Sequence, residues 1–286
     1  MDPQQSQRLE MMLTRMLRGL KIVIERGARE TIRELQDRHD EPGSLVPCGY
    51  KVYSQNDEDG IISEIFNRIG TTNKVFVEFG VGSGLENNTL FLLHQGWRGL
   101  WLDASDAVER ARAGYRRLID NGRLQIRKTH VNPDNINQLI EADIKEREID
   151  LLSVDIDGND FHVLNAIGCI DPRVVVVEYN AKFPPPVTYC MDYDPHHVWD
   201  GSDHFGASLK WFELKMADRG YRLVGCNLTG SNAFFVRDDL VGEAFLAPFT
   251  ADKHYQPARY ELSASFASLS GHPASFKTLA SALHGD

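Results

Sequence analysis

Three glycines following an acidic residue pose the first chemical question. Glu78-Phe79-Gly80-Val81-Gly82-Ser83-Gly84 places a glycine at every second position. Glycine lets a backbone turn sharply and approach a ligand where a side chain would collide. Downstream, Asp103 closes the apolar run RGLWLDA, where a carboxylate can accept both hydroxyls of a ribose. The GxGxG spacing departs from the GxGxxG of dinucleotide sites, and a carboxylate at Glu78 repels a pyrophosphate but suits a cationic ligand. The alternative is that the glycines and Asp103 serve only packing and capping.

A second group is acidic. Asp155 and Asp157 flank Ile156 at the end of one apolar run, and Glu178 and Asn180 flank Tyr179 at the end of the next. A strand period of two sends both members of each pair to one side, and open α/β sheets bind ligands beyond the carboxyl ends of their strands. Three readings follow. Asp155, Asp157, Glu178 and Asn180 could ligate a hard divalent cation such as magnesium, which would lower the pKa of a substrate hydroxyl. The carboxylates could instead hydrogen-bond a substrate or a cofactor ammonium, or Asp157 and Asp160 could cap the following helix.

The third group is the segment 181–208, AKFPPPVTYCMDYDPHHVWDGSDHFGAS. It is too long for an ordinary connection and reads as a lid over the substrate. His196, His197 and His204 can each act as a general base near neutral pH. We expect His204, just before a helix that returns toward the sheet, to be the catalytic base alongside Asp155; an exposed or structural histidine is the alternative at each position. Tyr189, Tyr193, Trp199 and Phe205 offer ring faces to a sugar or aromatic acceptor, or pack the core.

The elements that must position these groups are legible. Apolar runs of strand length occupy 74–79, 98–104, 124–131, 149–156 and 173–180, separated by segments able to form helices. That alternation predicts a doubly wound, mostly parallel Rossmann-like sheet covered on both faces. After a helix at 208–220 come two more runs, 221–229 and 232–239, too close for a crossover, so the seven-stranded sheet should end in an antiparallel hairpin. Residues 1–40 form a separate arm: Leu9, Leu13, Met16, Leu20 and Val23 recur at steps of four and three, the seam of an amphipathic helix. Packing on its own domain, or a homodimer contact, is expected of it; membrane-surface binding is disfavoured because eight basic and seven acidic residues leave 1–40 near neutral. The glycine turn and the acidic strand ends would then belong to one α/β domain at 41–245, with 246–286 a loosely docked tail.

SQNDEDGIISEIF (54–66), VFVEFGVGSGLENNTLFLL (75–93), WRGLWLDAS (97–105) and LLSVDIDGNDFHVLNAI (151–167) resemble the class I S-adenosylmethionine-dependent methyltransferases, and within them the FkbM-like group. The resemblance covers about residues 50–240. It implies that Gly80, Gly82 and Gly84 line the methionine part of S-adenosylmethionine, with Glu78 ahead of them, that Asp103 holds the ribose, and that Val131 and Asn132 border the adenine. Gln55, Asn88 and Thr89 become candidates for the methionine carboxylate. DIDGND stands where D-V-E-G is more usual. Metal-dependent enzymes such as catechol O-methyltransferase look similar at the two acidic strand ends. The activity implied is methyl transfer to a hydroxyl of a small molecule or sugar. A nicotinamide-dependent oxidoreductase and a non-catalytic cofactor-binding or assembly protein are the rivals.

Composition bounds the rest. With 42% hydrophobic and 25% charged residues in 286, the chain is an ordinary globular protein, and its net charge of −10 disfavours nucleic acid as a partner. No apolar run is long enough to span a bilayer and no signal-peptide pattern opens the chain, so a cytoplasmic location is expected. Cys48, Cys169, Cys190 and Cys226 are widely spaced and suggest neither a zinc site nor a disulfide framework.

Overall fold

A computed structural model describes residues 3–263. Seven strands make one sheet in the order β3-β2-β1-β4-β5-β7-β6. β1 (Val75–Phe79), β2 (Arg98–Asp103), β3 (Leu124–Lys128), β4 (Glu148–Val154) and β5 (Asp171–Glu178) are parallel. β6 (Tyr221–Cys226) and β7 (Asn232–Arg237) form the antiparallel hairpin, and β7 inserts between β5 and β6. This is the Rossmann-like arrangement expected.

Every residue of β1 is buried, which its Val-Phe-Val-Glu-Phe sequence requires of a strand covered on both faces. On one face Val77, Phe79, Leu100 and Leu152 meet α6 (Ile136–Asp143), α7 (Asp160–Ala166) and α8 (Leu209–Ala217). On the other, Phe76, Trp101, Leu151 and Val176 meet α2 (Glu58–Ile69), α3 (Leu90–His94), α4 (Ala107–Gly114) and α5 (Arg116–Asp120). Ser208 caps α8 by accepting from the Trp211 amide, a bond that a Ser-to-Ala change would remove at a cost of about 1 kcal/mol.

Element ends differ from those the apolar runs suggest. The last pair of the β4–β5 ladder is Val154 with Val177, so Asp155, Asp157 and Asn180 lie beyond the sheet and the strand period no longer aims them. α3 begins at Leu90, after Asn87, Asn88 and Thr89, which bond Glu78 instead. β6 stops at Cys226 because Asn227 folds back, its Oδ1 accepting from the Ser231 and Asn232 amides.

α1 (Pro3–Arg38) is one unbroken helix, but only its C-terminal part packs on the domain, through Ala28, Ile32 and Leu35 against Val46, Leu228 and Leu262. Apolar side chains from Met11 to Ile24 stand in solvent, against the expectation that the whole arm packs on its own domain. After the hairpin come α9 (Asp238–Val241) and α10 (Ala251–His254). Residues 246–263 are docked, with Ala251, His254, Gln256 and Leu262 buried; the rest of the tail lies outside the described residues. Among the described residues no helix is long and apolar enough to cross a membrane.

Candidate active site

A cavity of about 1210 Å³ opens at the carboxyl ends of β1, β2, β4 and β5, the position that doubly wound sheets reserve for ligands. The glycine turn forms one wall. Gly80 has φ +77°, and a Cβ there would lie 1.5 Å from the Asp155 carbonyl oxygen, so only glycine lets the ends of β1 and β4 meet. Gly82, φ +53°, has nothing within 4 Å of a virtual Cβ and lines the cavity: it is the open cradle. Gly84 does not face the ligand space. It packs under Trp101, Ala111 and Tyr115, and its carbonyl accepts from the Tyr115 hydroxyl at 2.9 Å.

Glu78 is 3% exposed and its carboxylate is saturated. It accepts from Asn87 Nδ2 at 2.7 Å, the Asn88 amide at 2.7 Å, and both the amide and hydroxyl of Thr89 at 3.2 and 2.5 Å. Burial raises its pKa and these bonds oppose the rise. Glu78 therefore shapes the cavity wall by holding the 87–89 turn. Thr89 is wholly buried and also accepts from Trp101 Nε1, so it builds that wall from behind, whereas Asn88 lines the cavity.

Asp103 lines the cavity with one oxygen on the Gly82 amide at 2.6 Å and the other on the Ser105 amide at 2.6 Å. It ties the glycine turn to the end of β2. Val131 lines the cavity with Thr129 and His130; Asn132 instead caps the 132–135 turn, its Oδ1 accepting from the Asp134 and Asn135 amides. Gln55 reaches the cavity because its neighbours are fixed. Asp59 Oδ2 accepts three amides, those of Val52, Tyr53 and Ser54, while Glu58 Oε1 accepts from Asn56, Asn227 and Asn232. The SQNDEDG run is thus an acidic knot joining α2 to the β6–β7 hairpin.

The acidic end is built differently. Asp155, Asp157 and Glu178 present carboxylate oxygens all within 4.8 Å of one another, and no described residue donates a hydrogen bond to any of the three. Burial first, then the mutual charge of Asp160, Asp157 and Glu78, holds the Asp155 carboxyl well above the usual carboxylate range. Burial and then Asp155 do the same to Glu178. Asp157 is raised too, by burial and then Asp103. Asp157 adopts φ 57°, a left-handed conformation uncommon outside glycine, and this turn rather than the strand pleat brings it beside Asp155. Asp160 braces the turn by accepting from the Ile156 and Gly158 amides at 2.7 and 2.8 Å. Neither of the two aspartates weighed as caps bonds an amide of α7, whose N-cap is Asn159 without a side-chain cap bond.

Asn180 is not part of this group. Its Nδ2 donates to the Asp203 and Phe205 carbonyls and its Oδ1 accepts from the Lys182 amide, so it ties the two ends of the lid. His204 is exposed, its Nδ1 3.1 Å from the Tyr189 hydroxyl, and it is not among the cavity-lining residues. The lid histidine on the cavity is His197, whose Nε2 lies 3.1 Å from the Asp157 carbonyl. Gly158 makes room for it, since a Cβ there would meet its ring at 2.2 Å. Trp199 and Phe205 line the cavity edge-to-face at 6.1 Å, while Phe183 and Tyr189 stack at 4.2 Å as part of the lid. Asn159 and Asp194 exchange two hydrogen bonds that latch the lid to the β4 turn. Sequence reasoning missed His197 as the inward histidine, and it missed Asn232, Tyr260 and Ser263, which also line the cavity. Only the HHVWDG pattern carried any signal for the first.

A glycine turn after β1, an acidic end to β2 and a sheet closed by an antiparallel hairpin define a class I S-adenosylmethionine-dependent methyltransferase. The model of the Methyltransferase FkbM domain matches residues 64–223, more than half of the chain, and the chain belongs to that family. No curated protein sequence matches it. Among solved structures, it is similar to a Klebsiella pneumoniae protein assigned as an O-methyltransferase, at 15% identity and TM-score 0.42, covering 73% of this chain and 90% of that one. It is also similar to a Staphylococcus aureus protein assigned as a caffeoyl-CoA O-methyltransferase, at 10% identity and TM-score 0.44, covering 78% and 99%. A third is the N-terminal domain of EvdMO1 with S-adenosylhomocysteine bound, at 14% identity and TM-score 0.37, covering 71% and 94%.

Proposed function

We propose that the protein transfers the methyl group of S-adenosylmethionine to a hydroxyl of a small-molecule or sugar acceptor, with a divalent cation held by Asp155, Asp157 and Glu178. The observation that carries this reading is the absence of any described hydrogen-bond donor to three carboxylates gathered within 4.8 Å. Three such groups repel one another as they ionise, which a cation relieves, and their hard oxygens suit magnesium, manganese or calcium. Such a cation, when bound, polarises a hydroxyl and lowers its pKa.

The chain's own residues supply the rest. Gly82 and Asp103 support cofactor placement at the β1–β2 end, and the triad faces the acceptor space under Trp199 and Phe205. Methyl transfer needs nucleophile, methyl and sulfur held in line, which two opposed walls of one cavity can provide. Asp155, which would be ionised beside such a cation and lines the cavity, is placed to take the hydroxyl proton. Purified protein given S-adenosylmethionine with panels of sugars, catechols and amines should release S-adenosylhomocysteine with a hydroxyl acceptor, stop in chelator and resume with added magnesium. Turnover of amines alone, or full turnover in excess chelator, would contradict the proposal.

A further inference from the structure

The free half of α1 carries a run of exposed apolar side chains away from the cavity. Nine apolar side chains between Met11 and Ile24 are each between 54% and 70% exposed, and no described residue covers them. At 3.6 residues per turn, Met12, Leu13, Met16, Leu17, Leu20, Val23 and Ile24 fall within an arc of about 140°, while Met11 and Ile22 lie on the other face. Arg8, Arg15, Arg18 and Lys21 lie outside that arc, on its borders and on the opposite face. Burial begins only at Glu25.

This boundary changes the charge balance. Over residues 3–24 four cations, Arg8, Arg15, Arg18 and Lys21, face one acid, Glu10. The acids that make residues 1–40 near neutral are Glu25, Glu30, Glu34, Asp37 and Asp40, in or after the part of the helix that docks, with Asp2 at the other end. The projecting segment is therefore basic in a chain of net charge −10.

We propose that this segment docks the protein on an anionic lipid surface, lying in the plane of the interface. Its arc is too wide for a two-helix seam, which buries only the a and d positions, but an interfacial helix submerges such an arc whole. The bordering arginines and Lys21 can extend their charged ends back to the headgroups, and Met12 and Met16 on the arc adapt to an irregular apolar environment. The segment is ~33 Å long. It sets the acidic body beside the membrane while placing positive charge where the two meet, the sign anionic headgroups attract.

Co-sedimentation of the full chain with phosphatidylcholine vesicles, with and without phosphatidylglycerol, tests this. The expected result is binding at least about tenfold tighter to the anionic vesicles, lost on Leu13→Glu with Leu20→Glu. Arg15→Glu with Arg18→Glu should abolish the preference for anionic lipid. Both variants should keep the parent's affinity for S-adenosylhomocysteine, showing that the domain is folded. A folded parent that ignores both vesicles overturns the proposal. A dimer dispersed by the leucine variant, in a chain that ignores vesicles, would instead assign the face to a second copy.

Discussion

The two ends of the cavity use the same residue types to opposite ends. At the β1–β2 end Glu78 has four hydrogen-bond donors and Asp103 two. At the β4–β5 end Asp155, Asp157 and Glu178 have none among the described residues. A carboxylate held by several donors from the chain fixes shape, as Glu78 does with four, while Asp103, with one amide on each oxygen, keeps acceptor sites free. An unsaturated group of three stores unfavourable charge that a cationic partner relieves. One end is held by donors of its own chain; the other has none among the described residues and is the end at which we propose a cation.

The largest expected effect comes from breaking the junction between them. Gly80→Ala drives a Cβ into the Asp155 carbonyl and should cost on the order of 3 kcal/mol or more, seen as lost folded yield. Gly82→Ala meets no atom and should cost only about 1 kcal/mol from its left-handed backbone, while calorimetry shows cofactor binding weakened.

Next is a contrast of sign. Glu78→Ala should destabilise by roughly 3 kcal/mol, since it orphans buried donors on Asn87, Asn88 and Thr89. Asp155→Asn with Glu178→Gln should do the reverse in chelator. Both carboxyls have raised folded pKa values, so between the ordinary carboxylate pKa and those raised values the native state binds more protons than the unfolded one. Stability contributed by these groups is present at low pH and falls as pH rises through that window. The double variant should therefore melt higher than the parent near pH 7.5 and lose the advantage near pH 4. A lower melting temperature at both would show the triad to be a structural bond network.

The fold was legible because strand-length apolar runs and their connections repeat through 74–180, and neither depends on distant partners. The cofactor end was legible in part. Glycine and acidic positions follow from local turn geometry, but the commitment of Glu78 to Asn87–Thr89 and of Gly84 to Trp101 depends on packing. At the acidic end Asp155, Asp157 and Glu178 were found through a strand period that stops at Val154, with the Asp157 turn bringing them together instead. Asn180 and His204 were separated from them by lid contacts across 15 to 25 residues, and such pairings leave no periodic trace. The arm's charge was averaged over 1–40, a unit the fold divides near residue 25.

Smaller losses should follow at the edges. Asp103→Ala removes the bond to the Gly82 amide as well as the proposed ribose contact, and should weaken S-adenosylhomocysteine binding by about tenfold to a hundredfold. Unchanged affinity in a folded variant would remove that assignment. His254, buried in the docked tail, has its pKa lowered to about 4 by burial. The unfolded chain thus binds the extra proton first as pH falls, and stability drops from about pH 6.5 downward, by roughly 1 kcal/mol at pH 5.5. His254→Gln should flatten that part of the acid melting profile.

The central claim is that the β4–β5 end requires a cation which the β1–β2 end does not. It is tested most directly by calorimetric titration of magnesium or manganese into chelator-stripped protein already saturated with S-adenosylhomocysteine. One saturable site per chain is predicted, abolished by Glu178→Gln with cofactor affinity unchanged. No cation binding by the loaded wild type, together with undiminished methyl transfer in chelator, would contradict the account.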